Sequence, residues 1–178
     1  ADEAKTLAMS HVVASYYTAA SEATNNCDNY YLVVSDKTNA VFNSAEGTIV
    51  ATNANVAAID LYAPAGTGTE LPEGTFKAGK GSLYYDADYS YTTKYGLSGK
   101  PGKEYALKGD VTVKKGTDNS YTVTFADANG VQYTYTGTLS FVDMNTGTTV
   151  YPQIPTDVNT TFTGGMAYYH GNLMESNT

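Results

Sequence analysis

Between residues 104 and 141 apolar and polar side chains alternate one for one. In 104–115 the odd positions read Tyr105, Leu107, Gly109, Val111 and Val113, with Glu104, Ala106, Lys108, Asp110, Thr112 and Lys114 on the even ones. In 119–127 the apolar set is Tyr121, Val123 and Phe125, and in 131–141 it is Val131, Tyr133, Tyr135, Leu139 and Phe141. A period of two means strands with one wet and one buried face. Antiparallel sheets carry that signature, whereas buried parallel strands read as continuous apolar runs.

The same pattern sets register. A two-residue turn at Asn129-Gly130 would place Phe125 opposite Thr134 and put every side chain on the wrong face. A three-residue loop of Ala128, Asn129 and Gly130 pairs Phe125 with Tyr133 and Val123 with Tyr135, with Gly130 in the left-handed position. The preceding turn, 115–119 around Gly116, places Val113 opposite Tyr121, so 104–141 reads as a three-stranded meander.

The amino-terminal half is also β-like. Residues 29–35 (NYYLVVS) are apolar on both faces, as in a central strand covered on both sides. Further strands are expected at 47–51 and at 56–63, the latter with Ala57, Ile59 and Leu61 on one face, and a turn at 71–76 feeds a short strand. Residues 83–95 are rich in tyrosine and 96–103 form a loop. Residues 4–14 fit a short helix, and 11–17 fit a strand equally well. Pro152 and Pro155 mark an edge or crossing segment, and 160–169 a last strand. Ala14-Ser15-Tyr16-Tyr17, followed by Glu22, is echoed by Ala167-Tyr168-Tyr169, followed by Glu175. Either the chain, a single domain over 1–178, is one unit of a tandem array whose next unit begins near 167, or the echo is coincidence in a chain rich in Tyr and Asn.

Composition narrows the partners. The net charge is −8, and all 10 basic residues are lysine. Without arginine forks, and with the wrong sign of field, a nucleic-acid or anionic-membrane partner is not expected. No apolar run approaches the ~18 residues of a transmembrane span. The opening residues Ala1, Asp2 and Glu3 do not form a signal segment, so an export signal is either already removed or was never there. The single cysteine, Cys27, has no internal disulfide partner and no neighbouring base to activate it.

The expected chemistry is binding, not catalysis. The two histidines, His11 and His170, lie near opposite ends of the sequence, too few for a metal site without further ligands. No P-loop, nucleophile elbow or zinc-protease motif is present. No cofactor or metal is expected. Asp86 and Asp88 stand at a spacing open to a glycosidase pair, with Asp60 and Glu104 as further candidates, though 18 acidic residues supply such pairs by chance. Asp127-Ala128-Asn129-Gly130 has the look of part of a calcium loop but is better explained as a hairpin turn. Tyr84, Tyr85, Tyr89, Tyr91 and Tyr95 form the candidate ligand-binding set, since aromatic faces stack on sugars or on another protein; the competing reading has alternate tyrosines lining the core.

The strings Tyr16-Tyr17, Asp28-Asn29-Tyr30-Tyr31-Leu32-Val33-Val34-Ser35-Asp36, Leu71-Pro72-Glu73-Gly74-Thr75-Phe76 and Tyr133-Thr134-Tyr135-Thr136-Gly137 together resemble secreted or lipid-anchored surface proteins of gut Bacteroidetes with β-sandwich or calycin-like domains. The resemblance spans about residues 14–140 and implies export and β architecture, but it carries over no functional residue. The lipid-attachment cysteine of that group has no counterpart at the start of this chain. The expectation is an all-β domain, an antiparallel two-layer β-sandwich with a closed calycin-like barrel as the alternative. Its expected role is a non-catalytic module exported to the cell surface, the exterior or the periplasm, engaging a protein or a glycan. A small-molecule carrier and a glycoside hydrolase are the alternatives.

Overall fold

The computed structural model describes residues 5–19, 26–145 and 148–150. These are all β, with no helix among the described residues. In chain order the strands are β1 (Thr6–Met9), β2 (His11–Tyr17), β3 (Cys27–Ser35), β4 (Val41–Asn43), β5 (Thr48–Val50), β6 (Ala54–Pro64), β7 (Gly74–Ala78), β8 (Tyr84–Tyr85), β9 (Tyr91–Tyr95), β10 (Tyr105–Ala106), β11 (Val111–Lys115), β12 (Ser120–Ala126), β13 (Gln132–Thr138), β14 (Phe141–Asp143) and β15 (Thr148–Val150). Thirteen of them form one curled, open sheet in the order β1-β13-β12-β11-β7-β8-β6-β3-β2-β14-β15, with β9 beside β6 and β10 beside β9. Strands β4 and β5 form a separate hairpin. Three pairings, β1–β13, β2–β14 and β7–β8, are parallel. The sheet is therefore mixed, where alternation alone pointed to an antiparallel one.

The meander at β11–β12–β13 follows its sequence. Val123 pairs with Tyr135 and Phe125 with Tyr133, the register the three-residue loop requires. Gly130 has φ 81°, and its N–H donates to the Asp127 carbonyl at 3.1 Å. The Phe125 and Tyr133 rings stack with centroids 5.1 Å apart and planes 4° from parallel, a contact worth about 0.5–1.5 kcal/mol beyond its buried area.

Two expectations for this region need correction. Val113 lies opposite Val123, not Tyr121. The turn sits at Asp118 and Asn119, whose φ values of 57° and 56° place the reversal later in the chain. The shift is two residues, so each side chain keeps its face. The stretch 104–115 is also not one strand. Gly109, at φ 79°, breaks it after β10. Strand β10 pairs with β9, and β11 pairs with β7 and β12.

At the amino terminus the strand option holds: β1 and β2 are both extended, separated only by Ser10. The chain changes neighbours there. Strand β1 lies along β13, whereas β2 lies between β3 and β14. Leu139 and Ser140 make the matching break between β13 and β14. The expected last strand at 160–169, the prolines Pro152 and Pro155, His170 and the echo near 167 lie outside the described residues.

The main core lies inside the curl. Tyr30, Leu32 and Val34 of β3 and Ala57, Ile59, Leu61 and Ala63 of β6 meet Val111, Val113, Tyr121, Val123, Phe125, Tyr133 and Tyr135 from the meander. Leu71, Phe76, Tyr85 and Phe141 fill the remaining space. Each such large side chain contributes about 1.5–3 kcal/mol by leaving water. Strands β3 and β6 bury their second face as well, as the doubly apolar 29–35 segment requires. One end of that outer face is covered by the β4–β5 hairpin, where Phe42 and Ile49 pack around Val33, Val56 and Tyr95. The other end carries polar and aromatic side chains.

Candidate functional site

Strand register builds this exposed end. On the outer face of β2, β3, β6 and β8, Tyr17 pairs with Asn29, Asn29 with Tyr62, and Tyr62 with Tyr84. In the adjacent row Ser15 pairs with Tyr31 and Tyr31 with Asp60. Directly paired residues share a face with Cβ atoms about 4.5–5.5 Å apart. Tyr31 also leans toward the hairpin, its ring centroid 5.0 Å from that of Phe42.

The segment following β8 closes over Asp60. The Asp86 N–H donates to the Asp60 carbonyl at 2.9 Å, and the Asp60 N–H donates to Ser90 Oγ at 3.0 Å. Asp86 Oδ1 accepts the Asp88 N–H at 2.9 Å, a side-chain turn that suits Asp at this position. The Tyr89 N–H donates to the Asp86 carbonyl at 3.3 Å, and Tyr89 is 63% exposed.

Asp60 is 7% exposed and is the one charged residue of β6. Its Oδ1 accepts Asn29 Nδ2 at 2.6 Å and its Oδ2 accepts the Tyr62 hydroxyl at 3.1 Å. Burial pushes its carboxyl up to about 6, against the pull of those two donors, and the neighbouring Asp86 charge adds to the rise. The phenols around it move the same way. Tyr17, Tyr31 and Tyr62 are raised by burial first and by the Asp60 charge in addition. Of the expected acidic pair, Asp88 is exposed and Asp86 buried. The buried acid next to Asp60 is Asp86, joined to it through the backbone.

The five tyrosines singled out from sequence do not share one surface. Tyr84, Tyr89 and Tyr91 are on the outer side of the sheet, Tyr84 opposite Tyr62 and Tyr91 opposite Ala58. Tyr85 is 1% exposed in the main core, its hydroxyl donating to the Gly109 carbonyl at 2.8 Å. Tyr95 lies under the hairpin and donates to the Ile49 carbonyl at 3.2 Å. Sequence reasoning about 83–95 did not include Tyr17, Asn29, Tyr31 and Tyr62. Their one visible signal is Asp60, an acid among residues that otherwise read as core.

Hydroxyl bonding divides the tyrosines into two groups. Those of Tyr16, Tyr30, Tyr62, Tyr85, Tyr95, Tyr121, Tyr133 and Tyr135 donate to protein acceptors. Among the described residues no partner reaches the hydroxyls of Tyr17, Tyr31, Tyr84, Tyr89, Tyr91 or Tyr105. All of these except Tyr105 belong to the outer face around Asp60. Buried phenols usually find a partner inside the protein, so the first group is structural and the second is turned outward.

The other buried acids are saturated. Asp28 accepts from the Tyr16 hydroxyl at 3.1 Å and from the N–H groups of Ala19, Gly66 and Gly68 at 3.1, 3.4 and 2.8 Å. Asp127 accepts from Thr92, Tyr133, Asn129 and Val131 and so pins the β12–β13 turn to β9. His11 Nε2 is 3.1 Å from the Ala40 carbonyl oxygen. Cys27 is buried. No group of three or more His, Cys, Asp or Glu side chains gathers for a metal among the described residues, and no helix there is long and apolar enough to cross a membrane. No protein-family model, curated protein or solved structure matches the chain.

Proposed function

We propose that this chain is a non-catalytic interaction module that captures a glycan on the outer face of β2, β3, β6 and β8. The observation that carries the reading is the gathering of Tyr17, Tyr31, Tyr84, Tyr89 and Tyr91, all with hydroxyls unpartnered among the described residues, on one side of the sheet. Aromatic rings stack on the apolar faces of sugars, and free phenols bond their hydroxyls. Tyr89 and Tyr84 are the most accessible of the set and form the platform. Export to a cell surface fits this role and the resemblance to Bacteroidetes surface proteins.

For the architecture we favour two packed layers. The kinks at Ser10 and at Leu139-Ser140 carry two neighbouring chains from one half of the sheet to the other, the behaviour of corner strands in sandwiches. A closed calycin-like barrel is the alternative. The carrier reading is less favoured, because Tyr30, Phe76, Tyr85 and Phe141 occupy the space between the halves.

The test is a glycan and protein array probed with the full chain and with the variant Tyr84→Ala/Tyr89→Ala. Glycan signals that vanish with the double substitution support the reading, and an array blank over many ligands overturns it. A hydrolase is the second reading, favoured by one observation: Asp60, pushed up to about 6, adjoins the buried Asp86. Turnover of aryl glycosides that disappears in both Asp60→Asn and Asp86→Asn would establish it.

A further inference from the structure

Strands β7 and β8 run parallel and pair Lys77 with Tyr84 and Ala78 with Tyr85, yet only residues 79–83 join them. Parallel neighbours usually need a connection of about a dozen residues or more. The short link is made with three residues at positive φ: Gly79, Gly81 and Leu83, at 152°, 114° and 61°. Glycine takes such angles freely, whereas Leu83 does so at a cost. The Lys77 N–H donates to the Leu83 carbonyl at 3.2 Å, the Leu83 N–H to the Tyr62 carbonyl at 2.9 Å, and the Gly79 N–H to the Tyr85 carbonyl at 3.1 Å. Together these bonds set one ring. A Cβ on Gly79 would stand 2.6 Å from Tyr84 Cδ1 and 3.0 Å from Cε1, and a Cβ on Gly81 would stand 3.8 Å from Cδ2. The Tyr84 ring therefore occupies the space that any side chain at residue 79 would need, and its other edge lies beside Gly81. Tyr84 stays 37% exposed, and the exposed Lys77 stands beside it on the same face.

We propose that residues 79–83 are a seat that fixes Tyr84 as the stacking platform of the glycan site, with Gly79 as its positioning residue and Lys77 as the donor beside it. The assignment rests on the glycan-capture reading and deepens it, by naming the ring that carries the sugar and the group that holds that ring. The ring rests on loop backbone, so a sugar stacks on its remaining exposed side and lies along the sheet. A freely rotating tyrosine must be ordered when it stacks, which weakens binding; the seat orders Tyr84 in advance. The Lys77 ammonium donates to a sugar hydroxyl at the rim of the platform, a charge-assisted bond. The ligand that fits is an oligosaccharide offering an apolar ring face with a hydroxyl at its edge.

The experiment is calorimetric titration with a soluble oligosaccharide of the glycan that binds on the array, comparing the full chain with Tyr84→Ala, Gly79→Ala and the double variant. Loss of the stacking ring predicts affinity about tenfold weaker for Tyr84→Ala. A displaced ring predicts a loss of about three- to tenfold for Gly79→Ala. Because Gly79 acts only through Tyr84, the double variant should bind as Tyr84→Ala does. Full additivity, or a Gly79→Ala variant that binds like wild type, overturns the seat. Undiminished binding by Tyr84→Ala overturns the platform and leaves glycan capture on the neighbouring tyrosines standing. Lys77→Met should weaken binding about three- to tenfold, and unchanged affinity removes Lys77 from the site. Should Gly79→Ala fail to fold by circular dichroism, wild-type proton spectra carry the test. Overhauser contacts between the α protons of Gly79 and Gly81 and the Tyr84 ring should be present before and after the oligosaccharide is added, and their absence from the free chain overturns the seat. A blank array overturns the reading on which the proposal rests.

Discussion

Asp127→Ala should be among the most damaging substitutions outside the aliphatic core. The carboxylate is 2% exposed and accepts four hydrogen bonds: Thr92 Oγ1 at 2.6 Å, the Tyr133 hydroxyl at 2.7 Å, and the N–H groups of Asn129 and Val131 at 3.0 and 3.1 Å. The two N–H groups sit in an exposed turn, where water replaces the lost acceptor at small cost. Thr92 and Tyr133 are 2% and 6% exposed and have no such recourse. Leaving two buried hydroxyls without an acceptor costs about 1–3 kcal/mol each, so the alanine variant should lose roughly 2–6 kcal/mol. That is a large share of the ~5–15 kcal/mol typical of a whole domain. Asp127→Asn keeps the shape and one acceptor oxygen and should lose only about 1–2 kcal/mol. Urea unfolding followed by far-ultraviolet circular dichroism, with equal m-values, measures both. The two variants should also differ from wild type in acid. Burial raises this carboxyl, but the four donors together pull it below the ordinary value. Its contribution is therefore present above the unfolded carboxylate range and lost as pH falls through the depressed folded value. An alanine variant within about 1 kcal/mol of wild type would refute the reasoning, because Asp127 would then not be the node joining the hairpin to β9.

Asp60 should show the opposite pH sign. Its carboxyl rises from 3.8 to about 6 on folding, so the folded chain holds this proton more tightly than the unfolded one. The contribution is fully present below about pH 4 and is lost as pH rises past 6, a swing of roughly 3 kcal/mol that Asp60→Asn should abolish; denaturation midpoints across that window check it, and an unchanged slope in the variant rejects it. Tyr85→Ala should cost about 3–5 kcal/mol in chemical denaturation, whereas Tyr89→Ala should stay within about 0.5 kcal/mol and act on binding alone. Gly130→Ala should cost about 1 kcal/mol in the same assay through its positive φ, since a Cβ there would meet no atom within 4 Å.

Local alternation made the meander readable down to its register. Only one choice of loop at 128–130 kept Val123, Phe125, Tyr133 and Tyr135 on one face, and that choice is the observed one. The 115–119 turn was less constrained, because a shift of two residues preserves every face; the positive φ of Asp118 and Asn119 decides it. The tyrosine-rich stretch failed as a unit for a related reason. Tyr84 and Tyr85 are neighbours in β8 and so take opposite faces, while Tyr91 and Tyr95 share a face of β9 whose Tyr95 end the β4–β5 hairpin covers. The cluster around Asp60 depends on pairings between β2, β3, β6 and β8, whose members are far apart in sequence. Nothing local brings Tyr17 to Asn29 and Asn29 to Tyr62. The acid inside an apolar strand was visible, but its partners were not.

The most direct test follows backbone amide and tyrosine ring resonances of the full chain during titration with a glycan that binds on the array. Shifts confined to Tyr17, Tyr31, Tyr84, Tyr89, Tyr91 and their immediate neighbours, with Tyr121 and Tyr133 unmoved, are the predicted result. Shifts centred instead on the outer face of β11–β13, or spread through the core, would contradict the assignment of the outer tyrosine face as the surface this protein uses.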